Sequence, residues 1–146
     1  MLVELGVVVE GQDYVAGPMT GIAEFNFPAF DSLAAYLRRL GRKAVNPAER
    51  DRLMYDTTTE GFAEGDVQKW AESSGFDFPL AMRYDLGVIT TSETMVLLPN
   101  WEKSTGVAKE KFVAEACGVT VLYAYPLRDG EWYVTTKYHP AIADAL

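Results

Sequence analysis

The chain has 146 residues, of which 49% are apolar and 23% are charged. This is the length of one domain and the composition of an ordinary globular protein. With 21 acidic and 13 basic residues the net charge is −8, which disfavours binding to a nucleic acid polymer or to an anionic membrane surface. The single Cys117 cannot form an internal disulfide, and no Cys and His residues stand at metal-ligand spacing. We therefore expect one cytoplasmic domain, residues 1–146, that needs no cofactor and no metal.

Strand and helix patterns alternate along the chain. The N-terminal apolar run is broken by Glu4 and Glu10 and follows no basic residue, so it predicts a strand and neither a signal peptide nor a membrane span. The predicted strands are residues 2–9, 13–16, 43–45, 94–98, 119–123 and 131–136. The predicted helices are residues 26–40, with Asn26 as N-cap and Gly41 as stop, residues 80–90 and residues 105–117. Such alternation predicts an α/β domain with a mainly parallel, five-stranded sheet and helices on both faces.

Two segments do not fit this alternation. Residues 51–79 carry seven acidic and two basic residues, so they supply five of the eight net negative charges. Helical periodicity is patchy there, which favours an insertion or lid over the edge of the sheet. Residues 125–146 form a C-terminal extension whose role the pattern does not assign.

Two loops at predicted strand-to-helix junctions have features of ligand sites. The glycines of Tyr14–Gly21 allow backbone amides to approach a ligand, although the same spacing marks any tight loop. Residues 100–110 open a helix whose first turn offers free N–H groups beside the hydroxyls of Ser104 and Thr105, which is the form of an anion site. This loop, from Trp101 to Lys111, has three lysines and two glutamates.

Two acidic residues are candidates for chemistry. Glu110 lies four residues after Gly106 and shares a helix face with it, which would place a carboxylate next to the anion site. Asp85 lies among apolar neighbours in a predicted helix. Spacing alone leaves both open to the alternative of a solvated surface charge.

Four motifs together resemble the phage and bacterial branch of the nucleoside 2-deoxyribosyltransferase-like superfamily. They are Tyr14–Gly21, Asn26–Phe30, Asn46–Glu49 and Leu97–Glu110. The resemblance covers residues 12–124 and matches the segment 51–79 poorly. It implies a Rossmann-like or flavodoxin-like domain that cleaves the bond between a deoxyribose and its base.

The resemblance also implies catalytic roles. Glu110 matches the nucleophile that attacks C1' of the sugar, Asp85 matches the acid beside the departing base, and Tyr14 matches the tyrosine that orients the nucleophile. This is the two-carboxylate chemistry of glycoside cleavage. Because Glu110 lies near a helix N-terminus, we expect it to stay ionised.

The substrate implied by the resemblance is a 2'-deoxynucleoside 5'-monophosphate. Ser104 stands where the nucleoside transferases have an acid, and a hydroxyl there favours a phosphate. The chain departs from the monophosphate enzymes at Pro18 and Thr20, where these have a serine and an arginine, and Lys103 is a candidate substitute. The expected substrate-binding and phosphate-binding residues are Gly17, Pro18, Met19, Thr20, Asn46, Trp101, Ser104, Thr105 and Gly106.

Several alternatives remain open at this stage. The reaction is hydrolysis or base exchange, and the rival functions are a non-catalytic nucleotide-binding protein and cleavage of a larger ribosyl substrate such as a dinucleotide. The resemblance implies a homo-dimer or higher homo-oligomer, in which residues 125–146 are a candidate to complete a neighbour's site. The aromatic residues Trp70, Phe76, Phe78 and Trp101 are candidates to stack on a base or to fill the core, and Trp101 is the best candidate for stacking.

Overall fold

The computed structural model describes residues 8–140, which form one five-stranded sheet with helices on both faces. The strands are β1 (Val9–Ala16), β2 (Lys43–Val45), β3 (Ser92–Leu97), β4 (Thr120–Pro126) and β5 (Trp132–Thr135). Their order in the sheet is β2-β1-β3-β4-β5. The first four strands are parallel and β5 is antiparallel to β4. This confirms the predicted mainly parallel α/β domain, and the order is the 2-1-3-4-5 order of flavodoxin-like folds.

Five α-helices connect the strands. They are α1 (Phe27–Arg39), α2 (Pro47–Met54), α3 (Val67–Ser74), α4 (Phe78–Ile89) and α5 (Thr105–Ala116). An asparagine, aspartate or serine side chain caps the first turn of four of them, since Asn46, Asp66, Asp77 and Ser104 each accept a hydrogen bond from a backbone N–H. No helix among residues 8–140 is long and apolar enough to cross a membrane.

Side-chain alternation along the strands produces two apolar cores, one on each face of the sheet. Val15 of β1 and Val96 of β3 belong to the cluster that includes α1 and Trp70. Tyr14 and Met95, their neighbours in sequence, belong to the cluster that includes residues of α4 and α5. Because successive strand residues point to opposite faces, each strand serves both cores.

Three local predictions differ from the structure. Two separate strands were predicted at 2–9 and 13–16, but one strand runs from Val9 to Ala16. Gly11 adopts φ +76° and the register shifts near it without ending the pairing with β3. Residues 2–7 of the first predicted strand lie outside the described residues. Helix α2 was not predicted, since its sequence is mostly polar. Asn26 precedes α1 but does not cap it, because its left-handed backbone leads its side chain to donate to the Pro18 carbonyl.

The segment 51–79 is built into the main core. Phe62 and Trp70 are buried there, and the loop before α3 is hydrogen bonded to the segment after β1, with the Gly21 N–H donating to the Gly65 carbonyl. A side chain at Gly65 would place its Cβ only 2.1 Å from the Ile22 carbonyl oxygen. Whether this segment acts as a lid stays a prediction.

Part of the C-terminal stretch 125–140 belongs to the sheet. Residues 125–126 end β4, and β5 follows after a turn and pairs with β4. Residues 141–146 of the predicted extension lie outside the described residues.

The order in which successive strands join the sheet reverses at a switch point between β1 and β3, although the two strands are parallel. The helix after β1 packs on one face and α5, after β3, packs on the other. In such sheets ligands bind in the crevice outside the carboxyl ends of these two strands, where their loops run to opposite faces. The loops after Ala16 and after Leu97 are therefore the expected borders of a ligand site.

Candidate active site

A cavity of about 650 Å³ lies at this switch point. Its walls come from the loop after β1, the start of α2, helix α4 and the first half of α5. Its size is typical of small-molecule sites. The predicted site residues that line it are Tyr14, Gly17, Pro18, Met19, Thr20, Asp85, Ser104, Thr105, Gly106 and Glu110.

A hydrogen bond between Tyr14 and Glu110 forms the floor of the cavity. The Tyr14 hydroxyl donates to Oε2 of Glu110 over 2.7 Å, and the two residues are 1% and 7% exposed. Successive side chains of β1 point to opposite faces of the sheet, and Tyr14 points to the face that carries α5. Glu110 lies in the second turn of that helix. The structure thus joins two residues that are 96 positions apart.

Asp85 completes this group from α4. Its Oδ1 is buried and has no hydrogen-bond partner among residues 8–140, although it lines the open cavity. It lies close enough to Tyr14 and Glu110 to influence the titration of both. A buried carboxyl oxygen without a partner is costly unless a ligand or a proton satisfies it.

Burial changes the ionisation of these groups. It raises the pKa of Glu110 to about 8, and the nearby Asp85 adds to this while the Tyr14 hydrogen bond opposes it. Burial, followed by the charge of Asp51, raises the pKa of Asp85 to about 7. The expectation that Glu110 simply stays ionised is therefore wrong, because burial raises its pKa and its position in the second turn of α5 gains little from the helix dipole. The pair retains a shared proton near neutral pH.

Asp51 is a cavity residue that the sequence interpretation missed. It lies on α2, is 5% exposed and lines the cavity, and burial raises its pKa to about 6 although the Arg50 charge opposes the shift. A signal was present, since Asp51 follows Pro47 by four residues and so shares its helix face just after β2. Asp51 was not identified because α2 was not predicted to be a helix.

The N-terminus of α5 forms the opposite wall. The Ser104 hydroxyl accepts from the Val107 N–H over 3.2 Å, which leaves the N–H groups of Thr105 and Gly106 without partners within the helix. Lys103 also lines this wall. Free N–H groups, a helix dipole and a lysine suit an anion such as a phosphate.

Gly17 is required by packing at the end of β1. A Cβ at this position would lie 2.7 Å from the Cβ of Leu98. The absent side chain lets the loop after β1 run directly beside the loop after β3. Gly106 differs, because a Cβ there would meet only ordinary contacts with Ser104, Met82 and Phe78.

Two predicted binding residues do not line the cavity. Asn46 is buried and caps α2, where its Oδ1 accepts from the Ala48 N–H over 2.9 Å. Trp101 packs against Tyr123 and Tyr138 on the far side of its loop. Of the aromatic candidates for stacking, Phe76 and Phe78 line the cavity, whereas Trp70 is buried in the core.

Comparison with known proteins gives a family and no function. A family model described as "Domain of unknown function (DUF4406)" matches residues 12–123. No curated protein and no solved structure gives a significant match to the chain. Among residues 8–140 no group of three or more His, Cys, Asp or Glu side chains is placed to hold a metal ion.

Proposed function

The chain belongs to the DUF4406 family, a domain of unknown function, and we propose that it cleaves the N-glycosidic bond of a 2'-deoxynucleoside 5'-monophosphate. The observation that carries this proposal is the buried hydrogen bond from Tyr14 to Glu110 at the floor of a cavity that Asp85 also lines. One carboxylate and one carboxylic acid facing a shared space are what glycoside cleavage requires.

The chemistry follows from the protonation of the pair. In the state with one proton, Tyr14 donates to Glu110 and so favours the charged form of that carboxylate. The pKa of Glu110, about 8, exceeds that of Asp85, about 7, so before substrate binds the shared proton favours Glu110. Cleavage uses the other arrangement of the pair, with the proton on Asp85 and the charge on Glu110. The ionised Glu110 attacks C1', the bond from C1' to the base nitrogen breaks, and its electron pair leaves with the base.

Asp85 completes the cycle as acid and then as base. It donates its proton to the departing base, and afterwards takes a proton from the water that attacks C1'. This second step releases 2-deoxyribose 5-phosphate and restores the Glu110 carboxylate. A second base in place of water would give base exchange through the same intermediate.

The phosphate binds at the N-terminus of α5. Lys103 supplies a positive charge, and the free N–H groups of Thr105 and Gly106 supply donors. Ser104 keeps the hydroxyl proton for a phosphate oxygen while its lone pair caps Val107. A free nucleoside would leave this wall unused.

The protein acts as a cytoplasmic homo-oligomer in this proposal. Cys117 is free and exposed, which suits a reducing compartment. Helix α4 exposes Leu80 and Tyr84, which lie four residues apart on one helix face away from the cavity lining, and exposed apolar side chains on one face favour a second copy as their partner.

The test is a search for base release from a panel of mononucleotides. Purified protein is incubated with deoxynucleoside monophosphates, their ribose counterparts and the free deoxynucleosides, and the free base is measured by mass spectrometry. We expect release from the deoxynucleoside monophosphates by the natural protein and by Glu115→Gln, and none by Glu110→Gln. Glu115 is a matched control because it is exposed on the same helix and pairs with Lys111.

Other outcomes would favour the rival functions. Thermal stabilisation by a mononucleotide without any released base, unchanged in Glu110→Gln, would indicate a binding protein. Cleavage confined to ribose substrates or dinucleotides would overturn the proposed substrate while keeping the two-carboxylate chemistry.

A further inference from the structure

Asp51 has no role in the mechanism above, although it is a buried carboxyl that lines the reaction cavity. Resting on the proposed function, we propose that Asp51 reads the base: it accepts a hydrogen bond from an exocyclic amino group and so selects cytosine and adenine nucleotides over uracil and hypoxanthine nucleotides.

The protein leaves part of this side chain available to a ligand. Among the described residues, Arg50 is its hydrogen-bond donor, with Nη1 at 3.2 Å from Oδ1. Oδ2 receives no hydrogen bond from residues 8–140. Arg50 is itself held in place, because its guanidinium stacks 4.4 Å from the centre of the Tyr84 ring. The result is a carboxyl fixed at one oxygen with the second oxygen unpaired.

The position of Asp51 places it at the base end of the cavity. Asp51 of α2 and Asp85 of α4 line the same cavity, and the charge of Asp51 contributes to the raised pKa of Asp85. In the proposed reaction Asp85 protonates the departing base, while the phosphate lies at Lys103 and the start of α5. A residue beside Asp85 and on a different helix from the phosphate wall therefore faces the base.

The surrounding walls suit a flat aromatic ring. Phe76, Phe78, Ala81 and Met82 line the cavity from α4 and the segment before it. These apolar side chains offer stacking and exclude water, but they distinguish one base from another only weakly. A fixed polar group among them carries the selection.

The charge state of Asp51 determines which bases it accepts. Its pKa is raised only to about 6 because the Arg50 charge opposes burial, so it is ionised at pH 7.5. A carboxylate accepts hydrogen bonds and cannot donate them. It therefore binds an amino group and repels the carbonyl oxygen that replaces this group in uracil and hypoxanthine.

Two matched substrate pairs test the inference. Deoxycytidine and deoxyuridine monophosphates differ at one exocyclic position, and so do deoxyadenosine and deoxyinosine monophosphates. The preference of the natural protein at pH 7.5 is measured as the ratio of kcat/KM for base release, and as the ratio of calorimetric affinities where no base is released. An unpaired buried polar group costs about 1–3 kcal/mol, so the amino member of each pair should be favoured by about 5- to 150-fold.

Asp51→Asn keeps the shape and replaces the charge with an amide that both donates and accepts. The preference should fall at least about tenfold or reverse in this variant. Glu49→Gln is the matched control on the same helix, because Glu49 pairs with Arg38 outside the cavity; it should keep the preference of the natural protein.

The outcomes separate the two proposals. Preferential binding of amino bases without base release would support the role of Asp51 and refute the cleavage reaction. Base release with equal treatment of both members of each pair would refute the role of Asp51 alone, as would an unchanged preference in Asp51→Asn. Binding of none of the four nucleotides would overturn both proposals. The preference of the natural protein decides the question even if the variant does not fold.

Discussion

Replacing Glu110 with glutamine should make the protein less sensitive to alkaline pH. The carboxyl is buried beside Tyr14 and Asp85 and has a pKa of about 8 against a usual value of 4.5. Because the folded pKa is raised, the stabilising contribution is fully present below pH 4.5 and is lost as the pH rises through 8. Glutamine has nearly the same shape and carries no charge, so it removes this loss.

The magnitude follows from the rise of the pKa of Glu110 from 4.5 to about 8. At about 1.36 kcal/mol for each pKa unit, ionising Glu110 in the folded protein costs several kcal/mol. The free energy of unfolding of Glu110→Gln, relative to that of the natural protein, should therefore rise by several kcal/mol between pH 5 and pH 9. At about 2–4 °C for each kcal/mol, the relative Tm should rise by about 10 °C or more.

Urea denaturation at pH 5, 7 and 9, with calorimetric Tm values at the same pH, measures this difference. Glu115→Gln removes one exposed acidic side chain from the same helix and should follow the natural protein at every pH. If the free energies of the natural protein and of Glu110→Gln change in parallel from pH 5 to pH 9, the carboxyl is not held in the environment described here.

Three further predictions concern activity and packing. The pH profile of kcat/KM should be bell-shaped with its maximum between about 7 and 8, where the pair formed by Glu110 and Asp85 holds one proton. Tyr14→Phe should shift both limbs upward, because hydrogen bonding by Tyr14 lowers the pKa of both carboxyls. Gly17→Ala should destabilise the protein by about 1–3 kcal/mol in urea denaturation, because its Cβ would overlap Leu98, and an unchanged stability would contradict the close packing. Lys103→Ala should raise KM for a deoxynucleoside monophosphate about tenfold or more and leave cleavage of a free deoxynucleoside unchanged; equal losses on both would place the phosphate elsewhere.

Local signals account for the parts of the fold that the sequence predicted. The apolar run of β3 and the serine before α5 are signals that lie in or next to the element they predict. Both the strand and the helix could therefore be predicted from the sequence. Asn46 also carried a local signal, since an asparagine directly before a proline is a good helix start. It was interpreted as a ligand residue because α2, which is polar over most of its surface, was not recognised.

The site itself depends on contacts between distant residues. Spacing could not bring Tyr14 to Glu110, since 96 positions separate them; the resemblance suggested this contact and the fold provides it. The ionisation of Glu110 could not be inferred from its place on a helix, because burial against the sheet outweighs the helix dipole. Asp51 was missed because α2 was not recognised as a helix, and because Asp85, the carboxyl it acts on, lies on the separate helix α4.

The anchoring of residues 61–70 limits how the cavity can open. Swinging this part of the chain away from the body would expose Phe62 and Trp70, at a cost of about 2–3 kcal/mol for each. With tenfold for each 1.4 kcal/mol, such an open form would be present in about one molecule in several thousand. Ligand exchange through a small movement of exposed side chains such as Phe78 avoids this cost, so the entrance should lie between α4 and the start of α5. Residues 61–70 then stay fixed to the body of the molecule, and ligands enter beside Phe78, near the C-terminal end of the acidic segment 51–79.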